Sequence, residues 1–537
     1  MEENYYLRRA NLADREMLFM WVNEENCRKN SLNTSYITYE EHVKWFENKM
    51  QSNDCFLYIF YAKNTPLGQI RVDIKDNIGV ISFSIDYHYR GQGLGKKVLE
   101  LIEDVPEVKS RLNILKGIVK YENIASKRSF DSLHYVVLEK EDCMEFSKNI
   151  EKSIRKDSNN KVEYNIPYGT QWIEEDDIQA VIEVLKSDYL TTGPKVREFE
   201  QKVADYVGAK YAVAVSNGTA ALHAACFAAG ITEKDEVITT PMTFAATANS
   251  VLYCGGKPVF ADIKADTYNI DPKKIQEKIT NKTKAIIPVH FTGQPCEMDE
   301  INRIAKQNKL IVIEDAAHAL GAKYRSEKVG NISDMTIFSF HPVKHITTGE
   351  GGMITTNQKD FYEKLLLFRS HGITRNKDMM SKYEGDWYYQ QIDLGFNYRM
   401  TDIQSALGCS QMKKIEGFIE RRQEIARRYV DAFQNHPEIK LPYQLDGCEN
   451  SWHLFIIQVE NRKKIFDTLR SAGIYVNVNY IPVYHHPYYQ KNGYEEVYCK
   501  NAEELYNNCI SLPMYPKLTA KEQDYVIEQV LKAVREC

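Results

Sequence analysis

Between residues 211 and 340, six short β-branched runs alternate with helical patterns, and this alternation limits the fold more than any other feature of the chain. "YAVAVS" precedes "TAALHAACFAAG" and "EVITT" precedes "FAATANSVLYCGG"; "PVFADI", "KAIIPVHF", "LIVIEDA" and "MTIFSF" follow. Strands apolar on both faces and separated by helices build a largely parallel sheet. In such sheets ligands gather at the carboxyl ends of the strands.

The alternation does not span the chain. At 537 residues the protein is too long for one ordinary core. The clearest compositional break is "CMEFSKNIEKSIRKDSNNKVEYNIPYG", polar, charge-rich and carrying the turn-prone "DSNN". We read residues 149–163 as a linker between an N-terminal domain at 1–148 and a C-terminal domain at 164–537, with no internal repeat. The net charge of −5 gives no support for a nucleic-acid partner. Eleven cysteines without a C-x-x-C pair suit free thiols in a reducing compartment, and no metal site is expected. No apolar run reaches the roughly 18 residues of a membrane span, and "MEENYYLRRANLADRE" lacks a signal-peptide core. A cytoplasmic protein is expected.

Four segments at strand ends bear on chemistry. "FSFHPVKHITTGEGG" carries a single lysine, Lys344, after a strand and before a glycine-rich turn. Alone it reads as a surface loop; with a buried carbonyl in reach the amine becomes a nucleophile. "VAVSNGTAALH" passes through Gly218 and Thr219 into a helix whose free N–H groups suit a phosphate, or is a capped turn. "LIVIEDAAHALGA" places Asp315 at the end of a buried strand with His318 three positions on; a buried carboxylate needs a cationic or hydrogen-bonding partner. "TTPMTFAATANS" offers Phe244 as a stacking ring or as core, and Ser339 is a second phosphate donor. Together these are the parts pyridoxal phosphate requires: a lysine for the Schiff base, an aspartate for the pyridine nitrogen, a phosphate cradle and a stacking ring.

On "SDYLTTGPKVREFE", "SNGTAALHAA", "IEDAAHALGA", "FSFHPVKHITTGEGG" and "LGFNYRMTDIQSALG", the chain from about 165 to 537 resembles the DegT-type sugar aminotransferases, a branch of fold-type I pyridoxal phosphate enzymes. The resemblance implies a mainly parallel central sheet with a smaller C-terminal subdomain. It implies Lys344 as the Schiff-base lysine, Asp315 on the pyridine nitrogen, His318 near the ring hydroxyl and Phe244 on the ring face. Gly218, Thr219 and Ser339 would hold the phosphate. Asn397 and Arg399 would reach a neighbouring subunit's site, which implies a homodimer. Some relatives carry histidine for the lysine and dehydrate; Lys344 favours transamination. Tyr168, Thr191, Asn479 and Tyr480 are the expected substrate contacts, and Asn479 departs from the histidine common before "Y-x-P".

In the N-terminal domain "NIGVISFSIDYHYRGQGLGKKVLELIED" runs from a strand through Arg90, Gly91, Gly93 and Gly95 into a helix, and "GIVKYENIASKRSFDSLHYV" supplies Asn123 before a second helix. Glycines there let backbone wrap a pyrophosphate, or make a plain turn. The pair resembles the acetyl-CoA motif of GNAT acyltransferases, a mixed α/β fold, over about residues 4 to 140. By that resemblance Arg90, Gly91, Gly93 and Gly95 line the pyrophosphate and Asn123 contacts the pantetheine arm. Phe130 stands where many relatives have a tyrosine acid, leaving Tyr135 or a water for that task.

An aminotransferase makes the amine that an acetyltransferase consumes. The expected activity is transfer of an amino group, from glutamate, to a UDP-linked 4-keto-6-deoxy-N-acetylhexosamine, then acetylation from acetyl-CoA, as in pseudaminic acid synthesis. Rival readings are another UDP-4-keto sugar, such as a bacillosamine or legionaminic acid precursor, with an inactive small domain, and a non-enzymatic sensor.

Overall fold

The computed structural model describes residues 5–31, 33–52, 54–63, 65–75, 78–140, 142–149 and 164–536. The chain divides into two compact units, Met1–Glu163 and Tyr164–Cys537. Of the expected linker only Asn149 is among the described residues, and it still belongs to a strand, paired with Ile114.

The first unit is built on seven strands: β1 (Tyr5–Arg9), β2 (Cys55–Ala62), β3 (Thr65–Lys75), β4 (Ile78–Ile85), β5 (Ile114–Val119), β6 (Val136–Glu139) and β7 (Met144–Asn149). They lie in the order β1-β2-β3-β4-β5-β7-β6. Neighbours are antiparallel except β4 and β5, whose parallel pairing runs from Ile78↔Ile114 to Ile81↔Gly117 and stops. β4 continues to Ile85 without that partner, so the two strands part at their carboxyl ends. Helix α1 (Leu94–Glu103) starts there and buries Leu94, Val98, Leu99 and Ile102 in the sheet core; helix α2 (Ile124–Asp131) follows β5.

The second unit carries seven strands in one sheet: β8 (Tyr211–Val215), β9 (Glu236–Thr239), β10 (Lys257–Phe260), β11 (Thr283–Ile287), β12 (Ile311–Asp315), β13 (Met335–Ser339) and β14 (Gly352–Thr356). Their order is β10-β9-β11-β12-β13-β14-β8. All pairings are parallel except those of β14, which runs against both neighbours. Sequence reading made the "TGEGG" stretch a turn and missed β14. Gly352 is its first residue, and a Cβ there would stand 2.4 Å from the Asn217 carbonyl oxygen, so glycine is required by the close approach of two backbones.

Helix α3 (Gly218–Ala228) buries eight residues, mostly alanine, so it lies tight against the sheet, and the Asn217 side chain caps it by accepting from the Ala220 N–H at 2.8 Å. Helix α4 (Ala246–Tyr253) follows β9. Beyond the sheet, helix α5 (Asp402–Gln411) and helix α6 (Ile415–Phe433) lead into a smaller subdomain. There Phe455–Gln458 pairs antiparallel with Cys509–Leu512 around a core of Ile425, Tyr429, Phe455, Leu469 and Val530.

The segment "DYLTTGP" is held to α5 by one carboxylate. Asp402, fully buried, accepts from the Gly193 N–H at 2.7 Å and the Lys195 N–H at 2.8 Å, while its own N–H donates to the Leu190 carbonyl at 3.0 Å. Asp402→Ala should cost about 2 kcal/mol, since it leaves two half-buried N–H donors without their acceptor. Urea unfolding of the substituted chain measures this; an unchanged midpoint would show that the anchor contributes nothing.

Candidate active site

The strand ends of the second unit converge on Lys344. The lysine does not close a strand, as the sequence suggested: β13 ends at Ser339, and Lys344 lies in a turn in which its N–H donates to the His341 carbonyl at 2.9 Å. In that turn Lys344 is half-buried. Its amine lies 3.4 Å from Nε2 of His453. Burial, reinforced by the nearby Arg422 guanidinium and opposed by Asp315, brings the amine down to about 8 from an ordinary 10.5.

Asp315 is the last residue of β12 and is 4% exposed. Thr247 Oγ1, on α4, donates to its Oδ2 at 2.7 Å, and the Ala317 N–H to its Oδ1 at 3.2 Å. Burial raises this carboxyl above its usual range, while those two donors and Lys344 pull it down. His318 packs against His453 with ring centroids 4.3 Å apart, and its Nε2 lies 3.2 Å from the Tyr480 hydroxyl. Burial and the neighbouring lysine hold His318, His345 and His453 well below the normal imidazole value, so these rings are neutral at pH 7.

The start of α3 meets the end of β13. A Cβ on Gly218 would stand 2.9 Å from Cβ of Ser339, so Gly218, half-buried Thr219 and Ser339 form one small cluster. Phe244 lies after β9, 63% exposed, with its ring 6.2 Å from that of Tyr480. Asn479 is buried with its Oδ1 unpaired. Tyr168 is half-buried, and its carbonyl accepts from the Met514 N–H at 3.0 Å. Thr191 bridges Thr401 at the Asp402 anchor. Arg399 bridges Val215 at the end of β8 and is half-buried; Asn397 bridges Ser370 and is exposed. Around them Trp387, Leu394 and Phe396 are exposed as well.

Three participants escaped the sequence reading. Thr247 sits in an apolar helix, Arg422 in an amphipathic one and His453 in "SWHLF" ahead of a strand. Each looks locally like ordinary structure; only the fold brings them to Lys344.

In the first unit Gly91 and Gly93 take left-handed φ values of +82° and +76°, and among the described residues a Cβ on either would meet no atom within 4 Å. Gly95 is packed on Ser129. The Arg90 side chain folds back, donating to the Ile85 carbonyl at 2.9 Å and pairing with Glu24 at 2.7 Å. The Asn123 side chain caps α2 by accepting from the Ser126 N–H at 3.1 Å. Phe130 is core: 2% exposed, its ring stacked on Phe146 at 5.1 Å. Tyr135 is 5% exposed, and burial raises its phenol far above the normal value.

Half-buried Lys344 thus lies among strand ends with the buried carboxyl of Asp315 and the start of α3. Comparison with known proteins gives the family. The model of the DegT/DnrJ/EryC1/StrS aminotransferase family matches residues 171–531, and that of the Acetyltransferase (GNAT) family matches residues 19–135. The chain belongs to the DegT/DnrJ/EryC1/StrS aminotransferase family, which depends on pyridoxal phosphate, and carries an N-terminal GNAT domain. It is 43% identical over 378 residues to the spore coat polysaccharide biosynthesis protein SpsC of Bacillus subtilis, covering 69% of this chain and 97% of that one. It is 39% identical over 369 residues to the UDP-4-amino-4,6-dideoxy-N-acetyl-beta-L-altrosamine transaminase of Campylobacter jejuni, covering 67% and 95%. Helicobacter pylori PseC, an aminotransferase involved in the biosynthesis of pseudoaminic acid, superposes with a TM-score of 0.65 at 34% identity, covering 70% of this chain and all of that one. Among the described residues no helix is long and apolar enough to cross a membrane.

Holding the Lys344 amine at about 8 costs stability. Between pH 8 and 10.5 the unfolded chain binds the proton that the folded chain has released, so cofactor-free protein should gain stability as pH rises through that window. Lys344→Met should abolish this slope and stabilise the cofactor-free chain by up to about 3 kcal/mol at pH 7. Denaturant titrations at pH 7 and pH 10 measure both effects, and equal stability of the two proteins at both pH values would contradict the burial argument.

Proposed function

We propose that the second unit transfers an amino group from glutamate to the 4-keto carbon of a UDP-linked 4-keto-6-deoxy-N-acetylhexosamine, and that the first unit acetylates the new amine from acetyl-CoA. The observation that carries the first half is the buried Lys344 amine, poised near neutrality beside Asp315. The names of the Campylobacter and Helicobacter relatives support the substrate class.

The residues around Lys344 fit pyridoxal phosphate. His318 Nδ1 and Asn479 Oδ1 are buried polar atoms without a hydrogen-bond partner among the described residues. Gly218, Thr219 and Ser339 present N–H and hydroxyl donors at a helix start, where a phosphate would be held. When bound, the group supplies a carbonyl that carries the amino group and a ring that accepts electrons. Lys344 would attach it and, once released, move the proton between substrate carbon and carbonyl carbon. Asp315, whose carboxyl accepts from Thr247 Oγ1 and from the Ala317 N–H, would face the ring nitrogen and keep it protonated. His318, neutral, would face the ring hydroxyl, and Phe244 would cover the ring.

Asn397 and Arg399, on an exposed segment bordered by Trp387, Leu394 and Phe396, would complete the site of a second copy in a homodimer. Tyr168, Thr191, Asn479 and Tyr480 would contact the sugar nucleotide. In the first unit the open Gly91–Gly93 backbone would take the pyrophosphate of acetyl-CoA at the start of α1. Arg90, held by Glu24, shapes that turn. A water is the better candidate than Tyr135 for proton transfer to the thiolate, because the Tyr135 phenol is buried and a weaker acid than usual.

The transaminase test is a panel of UDP-4-keto sugars with glutamate and acetyl-CoA, read by mass spectrometry. A diacetamido product is expected from one sugar; no amino product from any sugar would refute the reading. Lys344→Ala should lose the borohydride-reducible link to the cofactor and at least about 10³-fold in rate. Gly93→Ala puts a methyl group into the open turn, and the 4-amino sugar should then accumulate unacetylated while transamination continues. Acetylation at the original rate would remove the first unit from the pathway. Mixing inactive Lys344→Ala with inactive Asn397→Ala chains should restore part of the activity, because one hybrid site carries neither lesion. Confirmed mixed dimers without activity would end the shared-site idea.

A further inference from the structure

We infer that His453 is a positioning residue for the Lys344 amine, its Nε2 accepting an N–H of the lysine, and that Arg422 fixes the chain segment that presents it. The inference rests on the reading of Lys344 as the reactive amine and adds a partner that nothing above assigns.

The geometry begins with the lysine. His453 Nε2, at 3.4 Å, is the one side-chain hydrogen-bond partner of the amine among the described residues. The spacing is long for such a bond. The ring itself is 4% exposed, and its Nδ1 has no partner among the described residues. Burial, and the charges of Lys344, His318, His345 and Arg422, disfavour positive charge on the ring. Asp315 acts on the lysine instead, favouring its charged form. A neutral imidazole with its proton on Nδ1 therefore offers Nε2 as an acceptor, and an amine held this way keeps its lone pair free for a carbonyl carbon or a proton.

The segment carrying the ring is fixed from several sides. Arg422, 1% exposed, forms no ion pair among the described residues. Its Nη1 donates instead to the carbonyls of Trp452 at 3.0 Å, His453 at 3.3 Å and Met514 at 2.9 Å. His345, next to Lys344 in sequence, lies with Nε2 3.0 Å from the Ser451 carbonyl, and Ser451 Oγ donates to the His318 carbonyl at 3.2 Å. The Asn450 side chain accepts from the Trp452 N–H at 2.7 Å. Trp452 itself has φ +52°, a left-handed backbone unusual for a bulky residue. Such strain persists only where the surroundings over-determine it, and it gathers at functional sites. Here it aims the next side chain at Lys344. A buried guanidinium spent on carbonyl oxygens is expensive, and it has a second effect in the same place: its charge helps keep the lysine neutral.

The test reads Lys344 directly in the full-length chain after cofactor removal, by the pH dependence of its labelling with acetic anhydride, quantified on the Lys344 peptide by mass spectrometry. In the unsubstituted protein the midpoint should lie near 8. His453→Phe and His453→Met remove the acceptor for the charged amine, and the midpoint should fall by about one pH unit. His453→Gln keeps an acceptor and should return most of that shift, which a merely structural role for the ring would not do. Midpoints unchanged in the apolar variants, or a glutamine variant no closer to the original than they are, would overturn the inference. If neither apolar variant folds, nitrogen-15 spectra of histidine-labelled unsubstituted protein decide it: a proton on Nδ1 of His453 is required, and one on Nε2 is excluded. Because no step of this test uses sugar or amino donor, it can fail while the transaminase reading stands, and the reverse.

Discussion

The second unit is organised around one interaction: the removal of the Lys344 amine from water. In bulk solvent that amine is protonated at neutral pH and inert toward carbonyls. Surrounded by β12, β13, the turn after β13 and the 451–453 segment, it is pushed toward neutrality. The surrounding residues follow from that choice. A buried carboxyl that is to stay charged must be given donors, and Thr247 and the Ala317 N–H supply them. Histidines this close to the lysine must remain neutral, and burial keeps His318, His345 and His453 so. The sheet order serves the same end, since β12, β13 and β8 deliver Asp315, Ser339 and the start of α3 to one side.

Much of this was legible in the sequence because the sheet is buried on both faces. Double burial turns each strand into an apolar run, and the polar residue that interrupts the run, Asp315 or Ser339, marks a strand end. The GNAT turn was legible for a related reason: left-handed backbone at Gly91 and Gly93 leaves glycines at fixed spacing. What escaped was whatever has no local signature. β14 runs antiparallel in an otherwise parallel sheet, and its glycine start imitates a loop. The reach of Lys344 comes from a turn, not from a strand. Arg422 looks like any charged residue of an amphipathic helix until Trp452, His453 and Met514 close over it. These are long-range facts, set by contacts between segments some 30 to 90 positions apart.

The two candidate sites are built differently. In the second unit, buried side chains such as Asp315, His318 and His453 surround Lys344, while Phe244 and Asn397 stay exposed. In the first, the turn at Gly91–Gly93 is bare backbone, and the candidate side chains Arg90 and Asn123 are already engaged in shaping the turn and capping α2. Ligand recognition by main chain needs correct φ values more than particular side chains, so sequence motifs there reduce to glycine spacing.

The position of Phe130 has a consequence for how this acetyltransferase domain can change. The tip of the Phe130 ring occupies the space a side chain on Gly117 would take, 2.2 Å from where that Cβ would stand. Gly117 is also the last residue of β5 paired with β4, at the point where the strands part. A hydroxyl added at the ring tip would have to displace β5 backbone or swing the whole ring out of its stack with Phe146. Residues 117 and 130 are thus coupled: a larger group at either position requires the other to give way. A tyrosine at 130 calls for a shift of β5 as well as the substitution itself.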